Sequence, residues 1–536
     1  MYSNKENVNI LTALLVAHQV THAVLCPGSR NAPIVHNLVT CPDIVCHPVT
    51  DERSAGFYAL GMAQALRQPV VVCVTSGSAL LNLLPAVAEA FYQHVPLVVI
   101  SADRPAEWID QLDGQTIPQP DALGRFVRKA VSLPLFPSSP SPLVWHCNRL
   151  VNEALLTCRQ QGGGPVHINV PLDEPLYQFT VAELPKERCI SLAPAICNRL
   201  SLAACVEEFV AARRPMVIVG QLPPEKRMLD AFRKIADRAL VLNESLSIGW
   251  GCSHFDELLA EGEVPADMRP DFLLYLGDML VSKYMRHFLR SLPDIPMWQV
   301  SEDGQLRDTT MHFTGLIEGR PADVLQLLGE EMEQRESHLL PSFIEGWKER
   351  LAVMDEQLAV VQPPFSSRLA VKMLEQRIGD ARGCHTHYAN STAVRLANQY
   401  AAHYVYCNRG VNGIEGSLST AAGFSLIVGE PVYCVMGDLS FFYDSNALWN
   451  DELRGNFRIL LLNNGGGGIF RKFEGLKGSP ARERFVMAQH TASAEGICHS
   501  YGVQYQSARN TSELATGIDW LMSTDGERPL LLEVFV

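Results

Sequence analysis

The chain has 536 residues, with 44 Lys+Arg against 58 Asp+Glu, a formal net charge of −14, and 47% hydrophobic and 19% charged residues. These proportions exclude wholesale disorder, and the acidic balance argues against nucleic acid or an anionic membrane as the main partner. At about 150 residues per domain, the length implies three or four domains.

The N-terminus MYSNKENVN lacks the apolar core of a signal peptide. The longest apolar runs, such as Phe272–Leu276 and Ile459–Leu462, are strand-length, far short of the ~20 residues that cross a bilayer. Fourteen cysteines without a CxxC pair read as reduced core residues of a cytoplasmic protein. Along the chain, short apolar runs recur, each followed by Gly, Ser, Pro or Asn and then a helical pattern. They are HAVLCPGSRNAP, PVVVCVTSGSALLNLLPAV, PLVVISADRP, PMVIVGQLPP, DFLLYLGDML, PVYCVMGDLSFFYDSNAL and FRILLLNNGGGGIF. Strands apolar along their whole length are covered on both faces, which predicts parallel sheets with crossover helices. The expected fold is α/β, with three doubly wound parallel-sheet domains at 1–184, 190–335 and 355–536. Pro185–Pro194 is the first linker, and a charged helical stretch between Leu328 and Arg368 marks the second break.

Ligands of open α/β sheets bind where strands end and helices begin. Gly437-Asp438-Leu439-Ser440 ends one predicted strand, and Asn463-Asn464-Gly465-Gly466 ends another. An interval of one helix plus one strand makes the two loops neighbours at one sheet edge. A carboxylate, an amide oxygen and a glycine-loop carbonyl form an all-oxygen set suited to Mg2+, and a helix starting near Ser440 would aim its first amides at a phosphate. A strand-end Asp alone is ordinarily a helix cap, and a glycine run alone a flexible loop. Glu52 opens a helix with an apolar face of Phe57, Leu60 and Met62, where a first-turn acid also serves the helix dipole. Thr75, Ser76 and Gly77 end VVVCV, before a helix carrying Asn82 and Pro85. The middle third has strand ends VIVG and LLYLGD but no dinucleotide-binding glycine fingerprint, so it reads as scaffold.

Together, the GD-x-S…NN pair and TSG-x-x-x-x-N resemble thiamine-diphosphate (ThDP) enzymes. CPGSRNAP, ADRP, GQT, NSTAVR, NRGVNGIEGSLSTAAG, GDLSFFYDSNAL and NNGGGGIF narrow the resemblance to the 2-succinyl-5-enolpyruvyl-6-hydroxy-3-cyclohexene-1-carboxylate synthase family of menaquinone biosynthesis. It is close in the first and last thirds and weak in the middle.

The resemblance implies a pyrimidine-binding first domain, a central Rossmann-like domain and a diphosphate-binding third domain. It implies ThDP with Mg2+ or Mn2+, and decarboxylation of 2-oxoglutarate followed by 1,4-addition of a succinyl carbanion equivalent to isochorismate. Glu52 would be the catalytic acid on the aminopyrimidine, its pKa raised by apolar burial. Thr75, Ser76, Gly77, Asn82, Gly437, Asp438, Leu439, Ser440, Asn464, Gly466, Gly467 and Ile469 would line the cofactor. Asp438, Asn464 and Gly466 would hold the metal, and Ile414 would bend the cofactor. Arginines suit the substrates' carboxylates: Arg30, Arg104, Arg395 and Arg409 would bind them, with Ser29, Gln115, Lys283, Asn390, Ser391, Ile469 and Phe470. A homodimer or homotetramer with sites shared between subunits is implied. Leu439, Ser78 and Tyr284 depart from the family's commonest Gly, Pro and second basic residue. The competing readings are an acetolactate-synthase-like carboligase and a non-catalytic cofactor-binding paralogue.

Overall fold

In a computed structural model of the chain, residues 1–136, 141–193, 197–247, 252–379 and 383–536 are described. Six short strands build the first sheet: β1 (His22–Leu25), β2 (Val45–Pro48), β3 (Val70–Val74), β4 (Leu97–Asp103), β5 (Lys129–Ser132) and β6 (Val166–Pro171). All are parallel, in the order β2-β1-β3-β4-β6-β5. The central strands β3 and β4 are buried at every residue, as their unbroken Val/Ile/Leu composition requires of a sheet covered on both faces. Between Pro185 and residue 193 the chain has no regular secondary structure; Pro194 lies outside the described residues.

The second sheet comprises β7 (Pro215–Val219), β8 (Leu240–Asn243), β9 (Phe272–Leu276), β10 (Met297–Ser301) and β11 (Phe313–Glu318), parallel in the order β11-β10-β9-β7-β8. Helix Pro341–Val360, from the charged stretch between Leu328 and Arg368, covers one face through Phe343, Ile344, Trp347, Leu351 and Met354. A short strand β12 (His385–Tyr388) follows. The third sheet contains β13 (Val432–Gly437), β14 (Phe457–Asn463), β15 (Gln504–Ala508) and β16 (Leu530–Phe535), with parallel neighbours in the order β13-β14-β16-β15. The expected α/β architecture of three parallel sheets is thus the observed one.

Two compact units emerge. One contains Met1–Pro194, Asn408–Ala508 and Asp519–Phe535, and the other Ala195–Cys407, Arg509–Ile518 and Val536. In the first, helix Glu52–Leu66 packs along helix Ser417–Ser425. Phe57, Leu60 and Met62 are buried, at 1%, 0% and 0% exposure, each contributing about 1.5–3 kcal/mol. The two backbones touch at small residues: a methyl on Gly61 would collide with the Thr420 carbonyl, and one on Gly423 with the backbone of Tyr58. All fourteen cysteines are free, and among the described residues no helix is long and apolar enough to cross a membrane.

In the second unit, helix Ser367–Gly379 turns Glu375 inward, where it accepts from the Tyr388 hydroxyl and faces His403 Nε2 at 2.8 Å. His403 Nδ1 meets the Tyr404 carbonyl at 3.1 Å. Both ring nitrogens face acceptors, and the imidazolium is the form that donates to both; the Thr386 hydroxyl also lies 3.5 Å from Nδ1. Burial opposes that charge, but the Glu375 carboxylate and the Tyr404 carbonyl outweigh it and raise the His403 pKa above its ordinary 6.5. Because the folded state holds this proton more tightly, the pair's contribution is complete below pH 6.5 and is lost as pH rises through the raised value. Urea unfolding across that window should show wild-type stability falling relative to His403→Gln; parallel pH profiles would contradict the charged pair.

Candidate active site

Parallel strands put all their C-terminal ends on one edge, so the loops leaving β1, β3 and β4 lie side by side. The loop after β1 rests on the loop after β3: an added Cβ on Gly28 would strike the Thr75 side chain. Gly77 has φ +85°, and an added Cβ there would come 3.3 Å from the Gln115 backbone. A positive φ and this close approach both favour glycine. The structure thus brings Ser29, Arg30, Thr75, Ser76, Gly77 and Gln115 to one edge. Ser29 and Gln115 are exposed, and Arg30, Thr75 and Ser76 are buried.

Arg30 donates to the Leu172 carbonyl at 3.0 Å and pairs with exposed Glu174 at 3.3 Å. Arg104 meets the Gly114 carbonyl and Asp113, each at 3.0 Å. Burial first, and then the charge of Arg104, lower the Arg30 pKa, while Glu174 and Asp113 act in the opposite direction. Two guanidiniums thus share one neighbourhood, where a ligand carboxylate would relieve their repulsion.

A residue the sequence reading missed supports this edge. Gln119, fully buried, accepts the Gly77 N–H at 2.8 Å and donates to the Ala102 carbonyl at 3.0 Å and Asn169 Oδ1 at 2.8 Å. Asn169 in turn donates to Asp103 Oδ2 at 2.9 Å, and Asp103 Oδ1 accepts the Arg104 N–H at 2.8 Å. One buried polar chain therefore joins the Gly77 turn to Arg104. The only sequence signal was Gln119's place just after the GQT motif.

Glu52 opens its helix behind Asp51, which caps it by accepting from the Arg53 and Ser54 amides. The expected apolar enclosure is not what this chain supplies: Glu52 is half-buried, and its Oε2 accepts from exposed Asn82 Nδ2 at 3.3 Å. The helix carrying Asn82 is split, Ser78–Asn82 ending before Leu84–Tyr92 begins, with Pro85 in the first turn of the second piece.

At the third sheet, Asp438 leaves β13 directly into helix Asp438–Tyr443, two residues earlier than the expected start near Ser440. Ser440 therefore sits inside the first turn, where amides lack intrahelical partners. Asp438 is 3% exposed. Its Oδ1 accepts the Leu439 N–H at 2.7 Å, and its Oδ2 the Asn464 and Gly466 N–H groups, both at 3.0 Å. One carboxylate thus ties the glycine loop after β14 to the end of β13. At Gly466, φ is +139° and an added Cβ would lie 2.7 Å from the Met487 carbonyl, so glycine is required.

The two asparagines divide their work. Asn463 donates to the Ala492 carbonyl at 2.9 Å and to buried Glu533 at 2.7 Å, and its Oδ1 accepts the Gly465 N–H at 3.1 Å. It is structural. Asn464 Oδ1, by contrast, is buried with no hydrogen-bond partner, an acceptor that a cation would satisfy. The oxygens of Asn464, Asp438 and the Gly466 carbonyl are of the hard type that suits Mg2+, and the Gly466 carbonyl also accepts the Gly468 N–H at 2.8 Å. Among the described residues, no cluster of three or more His, Cys, Asp or Glu could hold a metal.

His490, also missed, stands 3.4 Å from Asp438 Oδ2. Its Nδ1 accepts the Ala492 N–H at 3.1 Å, which leaves the proton on Nε2, facing the carboxylate. Gly437, Leu439, Gly467, Ile469 and Phe470 are half-buried around these loops. Ile414 is 41% exposed, so core packing does not account for it. Arg409 is buried nearby in sequence.

Lys283, Asn390, Ser391 and Arg395 belong to the second unit. Lys283 and Tyr284 are exposed at the start of helix Lys283–Arg290. The charge of Arg395, followed by desolvation and Arg286, lowers the Lys283 pKa, so Lys283 and Arg395 lie close enough to interact. Asn390 is buried, and Ser391 adopts φ +72° at the start of helix Thr392–Tyr400. A serine held there carries backbone strain of the kind found at ligand sites.

Residues 6–123 match the thiamine pyrophosphate enzyme N-terminal TPP binding domain, and residues 381–534 the corresponding C-terminal TPP binding domain. The solved structure of benzoylformate decarboxylase from Polynucleobacter necessarius shares the fold, with a TM-score of 0.74 over 100% of this chain and 99% of that one, at 18% identity. The two family models place the chain among thiamine pyrophosphate enzymes. Relatives named 2-succinyl-5-enolpyruvyl-6-hydroxy-3-cyclohexene-1-carboxylate synthase are far more similar. Identity is 41% to that of Bacteroides thetaiotaomicron, covering 100% of this chain and 96% of the relative. It is 42% to that of Bacteroides fragilis strain YCH46, covering 100% and 97%. It is 36% to that of Desulfotalea psychrophila, covering 99% and 98%. The chain belongs to the 2-succinyl-5-enolpyruvyl-6-hydroxy-3-cyclohexene-1-carboxylate synthase family.

The three-amide grip should be measurable without any ligand. Asp438→Asn puts an NH2 group among amide donors and should cost about 1–3 kcal/mol in urea unfolding of metal-free, cofactor-free protein. Unchanged stability would mean the carboxylate does not hold the loop.

Proposed function

We propose that the protein decarboxylates 2-oxoglutarate and adds the resulting succinyl unit 1,4 to isochorismate, releasing CO2 and 2-succinyl-5-enolpyruvyl-6-hydroxy-3-cyclohexene-1-carboxylate for menaquinone biosynthesis. The observation that carries this reading is the orphan acceptor on Asn464 beside Asp438, in a chain whose first sheet gathers Arg30 and Arg104 at one edge. Bound thiamine diphosphate would supply the electron sink for losing CO2 and forming the new carbon–carbon bond.

The chain's own residues would do the rest. Asp438, Asn464 and the Gly466 carbonyl would hold Mg2+, or Mn2+, at the cofactor's diphosphate. Gly437, Leu439, Ser440, Gly467, Thr75, Ser76, Gly77 and Asn82 would shape its bed. Glu52, protonated on one carboxyl oxygen, would donate a hydrogen bond to the aminopyrimidine, and Ile414 would press the cofactor into a bend. Arg30, Arg104, Arg395, Arg409 and Lys283 would bind the substrates' carboxylates, with Ser29, Gln115, Asn390 and Ser391 as polar contacts. Ile469 and Phe470 would keep water from the reacting carbon.

The reading includes a cytoplasmic homodimer or homotetramer with shared sites. Within one chain, the neighbours of Glu52 engage the far end of the helix that Asp438 begins. Arg53 donates to the Tyr443 carbonyl at 2.6 Å, and Asn446 to Asp51 at 2.8 Å. In that assembly a second copy's Glu52 would complete the site. Apolar enclosure of Glu52 would then come from the cofactor and the neighbouring subunit.

CO2 release from 2-oxoglutarate should depend on added thiamine diphosphate and magnesium, and should couple to product only with isochorismate. Comparable turnover of pyruvate would overturn the substrate assignment. Glu52→Gln should keep cofactor affinity by calorimetry within a few-fold yet lower kcat about 100-fold or more. Unaltered turnover would remove Glu52 from the chemistry.

A further inference from the structure

Helix Leu84–Tyr92 starts two residues after Asn82 and turns one carboxylate inward. Glu89 is 3% exposed. Its Oε1 accepts the Gly410 N–H at 2.6 Å, and its Oε2 accepts the Val411 N–H at 2.7 Å. Gln93 Nε2 donates to the same Oε1 at 2.5 Å, and Gln64 Nε2 donates to Gln93 Oε1 at 3.1 Å. Two consecutive loop amides are thus clamped by one carboxylate, itself held by a short amide chain.

Burying an ionised carboxylate costs several kcal/mol unless its oxygens are satisfied. An apolar side chain would fill the same helix surface without that cost. What the carboxylate adds is a two-point hold on the backbone, which packing alone does not provide. The segment held is the one that matters to the site. Arg409 directly precedes Gly410, and Ile414, 41% exposed, follows three residues after Val411. Just upstream, Asn408 Nδ2 donates to Thr420 Oγ1 at 3.0 Å, pinning the loop's other end.

We propose that Glu89 is a positioning residue: by gripping Gly410 and Val411 it sets where Arg409 and Ile414 meet substrate carboxylate and cofactor, and ties that loop to the Glu52–Asn82 corner. The inference rests on the roles given above to Arg409 and Ile414. It adds a residue that touches neither ligand.

Glu89→Gln keeps the shape but turns an acceptor into a donor facing an N–H, and Glu89→Asp keeps both acceptors on a shorter stem. In holoenzyme with thiamine diphosphate and magnesium, hydrogen exchange at Gly410 and Val411 should quicken about tenfold in Glu89→Gln, with β3 and β14 amides unchanged. The KM for 2-oxoglutarate should rise about tenfold with kcat within about threefold. In an Arg409→Ala background, adding Glu89→Gln should cost less than about twofold more, because both changes disable one element. Unchanged exchange, or full additivity of the two substitutions, would overturn the proposal. Should Glu89→Gln fail to fold, Glu89→Asp carries the same tests with the same signs. Should the parent protein not turn over 2-oxoglutarate and isochorismate, the functional reading falls, while the exchange measurement still decides whether Glu89 holds the loop.

Discussion

The candidate site depends on one carboxylate that accepts three backbone amides. Asp438 takes the N–H groups of Leu439, Asn464 and Gly466, and so fixes the end of β13, the start of a helix and the glycine loop after β14 as one body. Its three amide contacts leave an acceptor position open on Oδ1. The orphan oxygen of Asn464 beside it completes the logic. The loop is held by the groups that would hold the ion.

The same design recurs around the site. Buried polar side chains act as struts between strand-end loops whose own backbones have no sheet partners. Gln119 and Asn169 link the Gly77 turn to Asp103 and Arg104. Glu533 takes hydrogen bonds from Asn463, Ser493 and Tyr505 below the glycine loop. Burial pushes the Asp103 carboxyl up, and its partners Asn169 and the Arg104 amide pull against that shift. Such fully bonded networks resist distortion because breaking any single bond strands a buried group.

Much of this was legible before the fold was known. Unbroken runs such as VVVCV and FRILLL predict central parallel strands, and the observed β3 and β14 are buried at every residue. The neighbourhood of the Asp438 and Asn464 loops followed from spacing, since one helix and one strand return the chain to the same edge. Glu52's enclosure did not follow. A helix-opening acid records its position in the chain and nothing of what covers it, and this chain leaves it half-buried against Asn82. Glu89 and His490 gave no local signal, and Gln119 only its place after the GQT motif, because each acts on amides or carboxylates distant in the chain.

Composition, strand patterning and loop chemistry belong to the sequence by itself: three parallel sheets, the strand-end edges where ligands are expected, and an oxygen-rich loop pair that is a candidate for a cation. These depend on short-range rules of burial and turn formation, which read the same in any chain. Tertiary structure alone decided which asparagine is a strut and which keeps an open oxygen, and which buried glutamate clamps the Arg409 loop. Those choices are hydrogen bonds between segments as many as 322 residues apart. A polar side chain's role depends on the partner that folding delivers to it.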